Sequence, residues 1–241
     1  MLMDRKRGII PALDVPTLDA ATFIIRHTTQ TDGVVAYKIG KRLGLTYGLP
    51  KVIAQLSALT SHPLIYDDQK SPNDIPAQAR EFVDTCSAAN VRILIGFPHS
   101  GPAVMEAFLD QCRKRGIQAI IGLHMTHEKF LRSEGGWISD DAPTRAFTIA
   151  VNMGVTDFVV PGTKPEYVKQ YYDLLTKDLH VPKEDLQLYA PGFIGQGGVI
   201  SDCGAVAGDN WCAILGGVYT KIVGDWRKMR RVSAEMATQI A

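Results

Sequence analysis

Eight short apolar runs, each separated from the next by an amphipathic stretch of helical length, restrict this chain more than any other feature of its sequence. The runs cover residues 8–15, 33–40, 63–68, 91–96, 118–124, 156–161, 186–190 and 211–218. They are apolar at nearly every position and rich in β-branched residues, which suits strands buried on both faces of a parallel sheet. Residues 17–29, 51–60, 75–88, 101–115, 142–153 and 166–177 read as the intervening helices, and 226–240 as a closing one. Strict strand–helix alternation implies right-handed crossovers. Eight repeats favour closure into an α/β fold of the (β/α)₈ TIM-barrel type, with a doubly wound open sheet as the alternative. A length of 241 residues suits one such barrel, and no linker divides it, so one catalytic domain over 1–241 is expected.

Charge and cysteine usage narrow the function. With 26 basic and 25 acidic residues the net charge is +1, so no broad field draws the chain to nucleic acid or to an acidic membrane. Anion recognition must then be local. Cys86, Cys112, Cys203 and Cys212 are scattered without a CxxC or zinc spacing, and read as reduced, buried thiols. The basic start of the chain leads into an apolar stretch broken by Pro11 and Asp14, which is neither a signal peptide nor a membrane span. A cytoplasmic location follows as the expectation.

In a barrel the chemistry sits where strands end, because the strand-to-helix loops build that face. Asp14 lies at the end of the first run and Lys38 near the end of the second. The third empties into Asp67, Asp68, Gln69 and Lys70, with Asp74 beyond. The fifth ends in His124, Thr126 and His127. A lone aspartate or lysine at such a place is usually a solvated turn or a cap. The set Asp14, Lys38, Asp68, Lys70 and Asp74 reads instead as mixed charges that hold one another ionised and can present an ammonium to a carbanion. After the seventh run comes Pro191-Gly192-Phe193-Ile194-Gly195-Gln196-Gly197-Gly198, whose glycines let backbone N–H groups approach a phosphate; Gly216-Gly217 could complete the cradle. Residues 128–141 and 192–204 read as mobile loops.

These residues resemble a family. Asp68-Gln69-Lys70 followed by Asp74-Ile75 resembles the Asp-x-Lys-x-x-Asp-Ile signature of orotidine 5′-phosphate decarboxylases, and Pro191-Gly192…Gln196-Gly197-Gly198 resembles their phosphate loop. Ala12-Leu13-Asp14, Lys38-Ile39-Gly40, Gly96-Phe97-Pro98, Met125-Thr126-His127 and 160–166 look like the archaeal branch, in order along nearly the whole chain. Two positions depart from the pattern. Three residues rather than two separate Lys70 from Asp74, and Gly217 stands where the family has a phosphate-gripping arginine, leaving Lys221 or Arg227 as substitutes.

The resemblance implies decarboxylation of orotidine 5′-phosphate to uridine 5′-phosphate, in pyrimidine biosynthesis, with no metal and no other cofactor. Lys70 would protonate C6, Asp68 would crowd the leaving carboxylate, Lys38 would bridge Asp68 and the ribose, and Asp14 would take a ribose hydroxyl. Thr126 and Gln196 would contact the pyrimidine and the phosphate, with Pro191, Gly197, Gly198, Gly216 and Gly217 lining the nucleotide site. Asp74 would enter the partner's site of a homodimer. Alternatives are a Mg²⁺-dependent sugar-phosphate decarboxylase or hexulose-phosphate synthase of the same suprafamily, a nucleotide-binding barrel without turnover, and a Schiff-base aldolase. A metal site built on His99, His124 and His127 matches no ligand spacing, and those residues read better as loop or capping histidines.

Overall fold

The computed structural model describes residues 7–240. In chain order the elements are β1 (Gly8–Pro11), α1 (Leu18–Thr28), β2 (Tyr37–Gly40), α2 (Lys41–Tyr47), α3 (Leu49–Ser57), β3 (Leu64–Asp67), α4 (Pro76–Ala88), β4 (Ile93–Gly96), α5 (Pro102–Arg115) and β5 (Gln118–Ile121). There follow α6 (Ala142–Asn152), β6 (Asp157–Val159), α7 (Pro165–Asp173), β7 (Gln187–Pro191), α8 (Ile200–Gly204), β8 (Trp211–Leu215), α9 (Gly217–Thr220) and α10 (Trp226–Thr238). All eight expected strands are present.

Every ladder is parallel, in the order β1-β8-β7-β6-β5-β4-β3-β2. The seam between β1 and β2 is closed by single bridges, Ile9 to Val34 and Ala12 to Lys38, and by Leu13 N–H donating to the Lys38 carbonyl at 2.7 Å. The sheet is therefore a barrel rather than the open alternative.

Alternation along the strands sorts the core into two clusters. Ile10, Ala12, Ile65, Ile95, Ile120 and Ile214 are among the buried residues that fill the lumen. Their chain neighbours Ile9, Leu13, Tyr66, Leu94, Ile121 and Leu215 pack outward against the helices. The same period of two continues past the strand ends and decides which polar side chain enters the mouth.

Several boundaries, and one loop, differ from the sequence reading. The first strand stops at Pro11 and the eighth at Leu215, where the backbone turns directly into α9. The segment read as a mobile loop over 128–141 is tied down. Phe130 and Leu131 are buried, Leu131 bridges Ile138, and Arg132–Glu134 form a 3₁₀ turn. Buried apolar side chains at its start give it an anchor that its glycines and aspartates conceal.

Candidate active site

The lumen-facing parity of β1, β2 and β3 converges three charges. Asp14 continues the series Ile10, Ala12 on β1, and Lys38 follows Ala36 on β2. Asp67 follows Ile65 on β3. The Lys38 ammonium donates to Asp14 Oδ1 at 3.2 Å and to Asp67 Oδ2 at 3.0 Å. Burial alone would pull the Lys38 pKa down, but the charges and hydrogen bonds of Asp67 and Asp14 outweigh it and raise it. Lys38 is thus a buried ammonium that stays charged throughout the neutral range. Asp67 Oδ1 is buried with no hydrogen-bond partner, an acceptor left over beside that ammonium. Gly40 makes the close packing possible: a Cβ there would lie 2.3 Å from Asp14 Oδ1.

These three groups form one wall of a cavity of about 500 Å³ at the carboxyl ends of the strands. The opposite wall carries Thr126 after β5 and Gln196 after β7, joined by a 2.6 Å hydrogen bond from Thr126 Oγ1 to Gln196 Oε1. Pro191, Gly216, Gly217 and Lys221 also line it. Gly192 turns the chain at φ +110°, where a Cβ would press on Thr163 at 2.7 Å, so only glycine suits the turn.

Several residues expected at the site lie away from this cavity within the chain. Asp68, one residue beyond Asp67, necessarily points outward. It is buried, and accepts from Ser71 Oγ at 2.6 Å, Ser71 N–H at 3.3 Å and Tyr66 Oη at 3.4 Å. Lys38 therefore pairs with Asp67, not with Asp68. Lys70 is exposed and outside the cavity wall, where Gln69 stands instead. The extra residue of the signature is absorbed in a turn: Asn73 N–H donates to the Lys70 carbonyl, its Nδ2 to the Gln69 carbonyl, and its Oδ1 accepts from Ser100 N–H. Asp74 lies exposed just before α4 and does not line the cavity of its own chain. Gly197 and Gly198 also fall outside the wall, because the loop folds back on itself through Gly198 N–H to the Gly192 carbonyl.

Sequence reasoning did not single out Asp67, the carboxylate that lies at the cavity beside Lys38. Strand parity is the signal that finds it. Of the two substitutes for the missing arginine, Lys221 is at the cavity, whereas Arg227 lies with its guanidinium 5.2 Å from the Trp226 ring centre. His124 lines the cavity and His99 does not, and among the described residues no group of three or more His, Cys, Asp or Glu is placed to hold a metal ion.

The Orotidine 5′-phosphate decarboxylase / HUMPS family matches residues 8–207, most of the chain. The chain belongs to that family. The orotidine 5′-phosphate decarboxylase of Methanosarcina mazei is 27% identical over 220 residues, covering 90% of each chain. That of Methanococcoides burtonii is 26% identical over 90% of this chain and 92% of its own. Among solved structures, the orotidine 5′-monophosphate decarboxylase of Methanocaldococcus jannaschii, complexed with the inhibitor BMP, superposes with a TM-score of 0.79 at 22% identity over 99% of both chains. The Sulfolobus solfataricus enzyme gives 0.74 at 20% identity, over 98% of this chain and 100% of its own. Both share the decarboxylase barrel.

Proposed function

We propose that this chain, a carbon–carbon lyase by family, converts orotidine 5′-phosphate to uridine 5′-phosphate and CO₂ at the cavity of Asp14, Lys38 and Asp67. The observation that carries the reading is the buried Lys38 ammonium between two carboxylates, facing the glycine-lined end of the same cavity. The phosphate sits against the 192–196 backbone and Lys221, and Thr126 and Gln196 face the pyrimidine. The substrate carboxylate is pressed towards Asp67, whose unpartnered oxygen disfavours it as a bound anion. As the carbon–carbon bond breaks, CO₂ leaves and its electron pair stays at C6, where Lys38 supplies the proton and later regains one from solvent. Lys38 thereby takes the role that the signature alone gives to Lys70. Free energy from holding the distant phosphate keeps the charged array against a group it repels.

The test is direct: loss of orotidine 5′-phosphate absorbance in the presence of a chelator. Turnover should be unchanged by chelation. Turnover that stops and returns with Mg²⁺ would favour the sugar-phosphate branch of the family.

Lys221 sets the charge balance of the cavity. Without it, Asp14, Lys38 and Asp67 sum to one negative charge, which repels a phosphate. Lys221→Ala should raise KM for the nucleotide by roughly 10- to 100-fold, in line with loss of one charge-assisted contact, with a smaller effect on kcat. Initial rates over a range of substrate concentrations check this, and an unchanged KM would remove Lys221 from the phosphate site.

The exposed Asp74 and the neighbouring Ile75, 58% exposed, fit a homodimer in which Asp74 reaches the partner's cavity. Sedimentation of the purified chain tests the dimer. A reducing, cytoplasmic setting is supported by the four buried free cysteines, and no helix among the described residues is long and apolar enough to cross a membrane.

A further inference from the structure

A second group of charges lies behind the Thr126 wall. Lys164, just before Pro165 at the start of α7, donates to Glu134 Oε1, to His124 Nε2 at 3.0 Å and to the His127 carbonyl at 3.3 Å. An ammonium has no lone pair, so His124 Nε2 is the acceptor, and the ring proton lies on Nδ1 facing Tyr171 Oη at 2.8 Å. The 3.1 Å approach of His124 to Glu134 is therefore not an ion pair at neutral pH. Burial, then the charge of Lys164, push the imidazole down to about 4. Glu134 also accepts from the N–H groups of Phe130 and Leu131, at 3.3 and 3.2 Å. Burial alone would raise its pKa, but the Lys164 ammonium and that backbone bring it down to about 2.

Among the described residues the segment that bears Glu134 makes no other ion pair to the barrel core, and Lys164 is 13% and Glu134 17% exposed at the side chain. Beside Lys164, Thr163 Oγ1 donates to the Thr126 carbonyl at 2.9 Å. Thr126 in turn holds Gln196 of the glycine loop. A continuous set of contacts thus runs from residues 130–134, through Lys164 and the β5 exit, to the loop over the cavity.

We propose that Glu134 and Lys164 are positioning residues: their pair latches residues 130–134 onto the β5 exit and fixes Thr126 where it can hold Gln196 over the bound nucleotide. The pair touches no substrate and acts through Thr126. Its kinetic consequence rests on the proposed decarboxylation, whereas the latch itself does not.

Lys164→Met removes the cation but strands a half-buried carboxylate, so the double variant Glu134→Gln/Lys164→Met is measured beside it. Without ligand, amide exchange at Phe130, Leu131 and 125–127 should accelerate in the double variant, with the strands of the barrel unchanged. Unchanged exchange there overturns the latch. In turnover, the variant should raise KM by roughly 10- to 100-fold with kcat within about threefold, since small displacements of a positioning group cost that much. Adding Gln196→Ala should cost little more, because both changes break one connection. Fully multiplicative losses would overturn the coupling through Thr126. A wild-type chain that does not turn over orotidine 5′-phosphate would sink the decarboxylase reading, while the exchange result would still decide the latch.

Discussion

Lys38→Ala should lower the decarboxylation rate by roughly 10³-fold or more, the scale of losing a general acid together with an electrostatic stabiliser. The side chain is buried between Asp14 and Asp67, and without it two carboxylates face the substrate's own carboxylate with no cation between them. The loss should appear in kcat and kcat/KM alike, because the interaction is strongest as charge develops on carbon. Uridine 5′-phosphate, lacking that carboxylate, should still bind the variant, and calorimetry measures this. A variant that turns over within tenfold of wild type would rule out Lys38 as the acid.

Asp67→Asn and Asp68→Asn should differ sharply although the residues are neighbours. Asn at 67 neutralises the carboxylate that pairs with Lys38 at 3.0 Å, and a fall of roughly 10²- to 10³-fold in turnover is expected. Asn at 68 should keep turnover within about tenfold. Its cost is in stability, about 1–3 kcal/mol, because a buried carboxylate that accepts from Ser71 and Tyr66 loses its charge-assisted bonds. Thermal unfolding should show this as a drop of several degrees. Lys70→Ala should resemble Asp68→Asn in activity, since Lys70 is exposed. Loss of turnover in both, with Asp67→Asn active, would restore the role that the signature suggests.

The barrel was legible because its signal is repeated eight times and each run is apolar on both faces. The placement of Asp14, Lys38, Thr126, Gln196 and Gly216 around the cavity was legible as well, since each lies near or shortly beyond the end of an apolar run. The β3 exit was not. There the sequence offers two adjacent aspartates, and only the lumen placement of Ile65 shows that the odd-numbered one enters the cavity. Motif spacing favours Asp68 with Lys70, whereas the pleat admits Asp67 with Gln69. The latch was hidden for a different reason. Glu134 lies 30 residues from Lys164, in a segment whose glycines and aspartates mask the burial of Phe130 and Leu131.

The doubled aspartate at the end of β3 gives the array an unusual tolerance. Were that strand displaced by one position against its neighbours, a carboxylate would still meet Lys38, but Lys70 would replace Gln69 at the cavity wall. What opposes the shift is the backbone ladder to β2 and β4, with four and three paired positions. Removing one residue from the 60–62 turn ahead of β3 would thus exchange one chemical lining for another while leaving the charge on Lys38 answered in both.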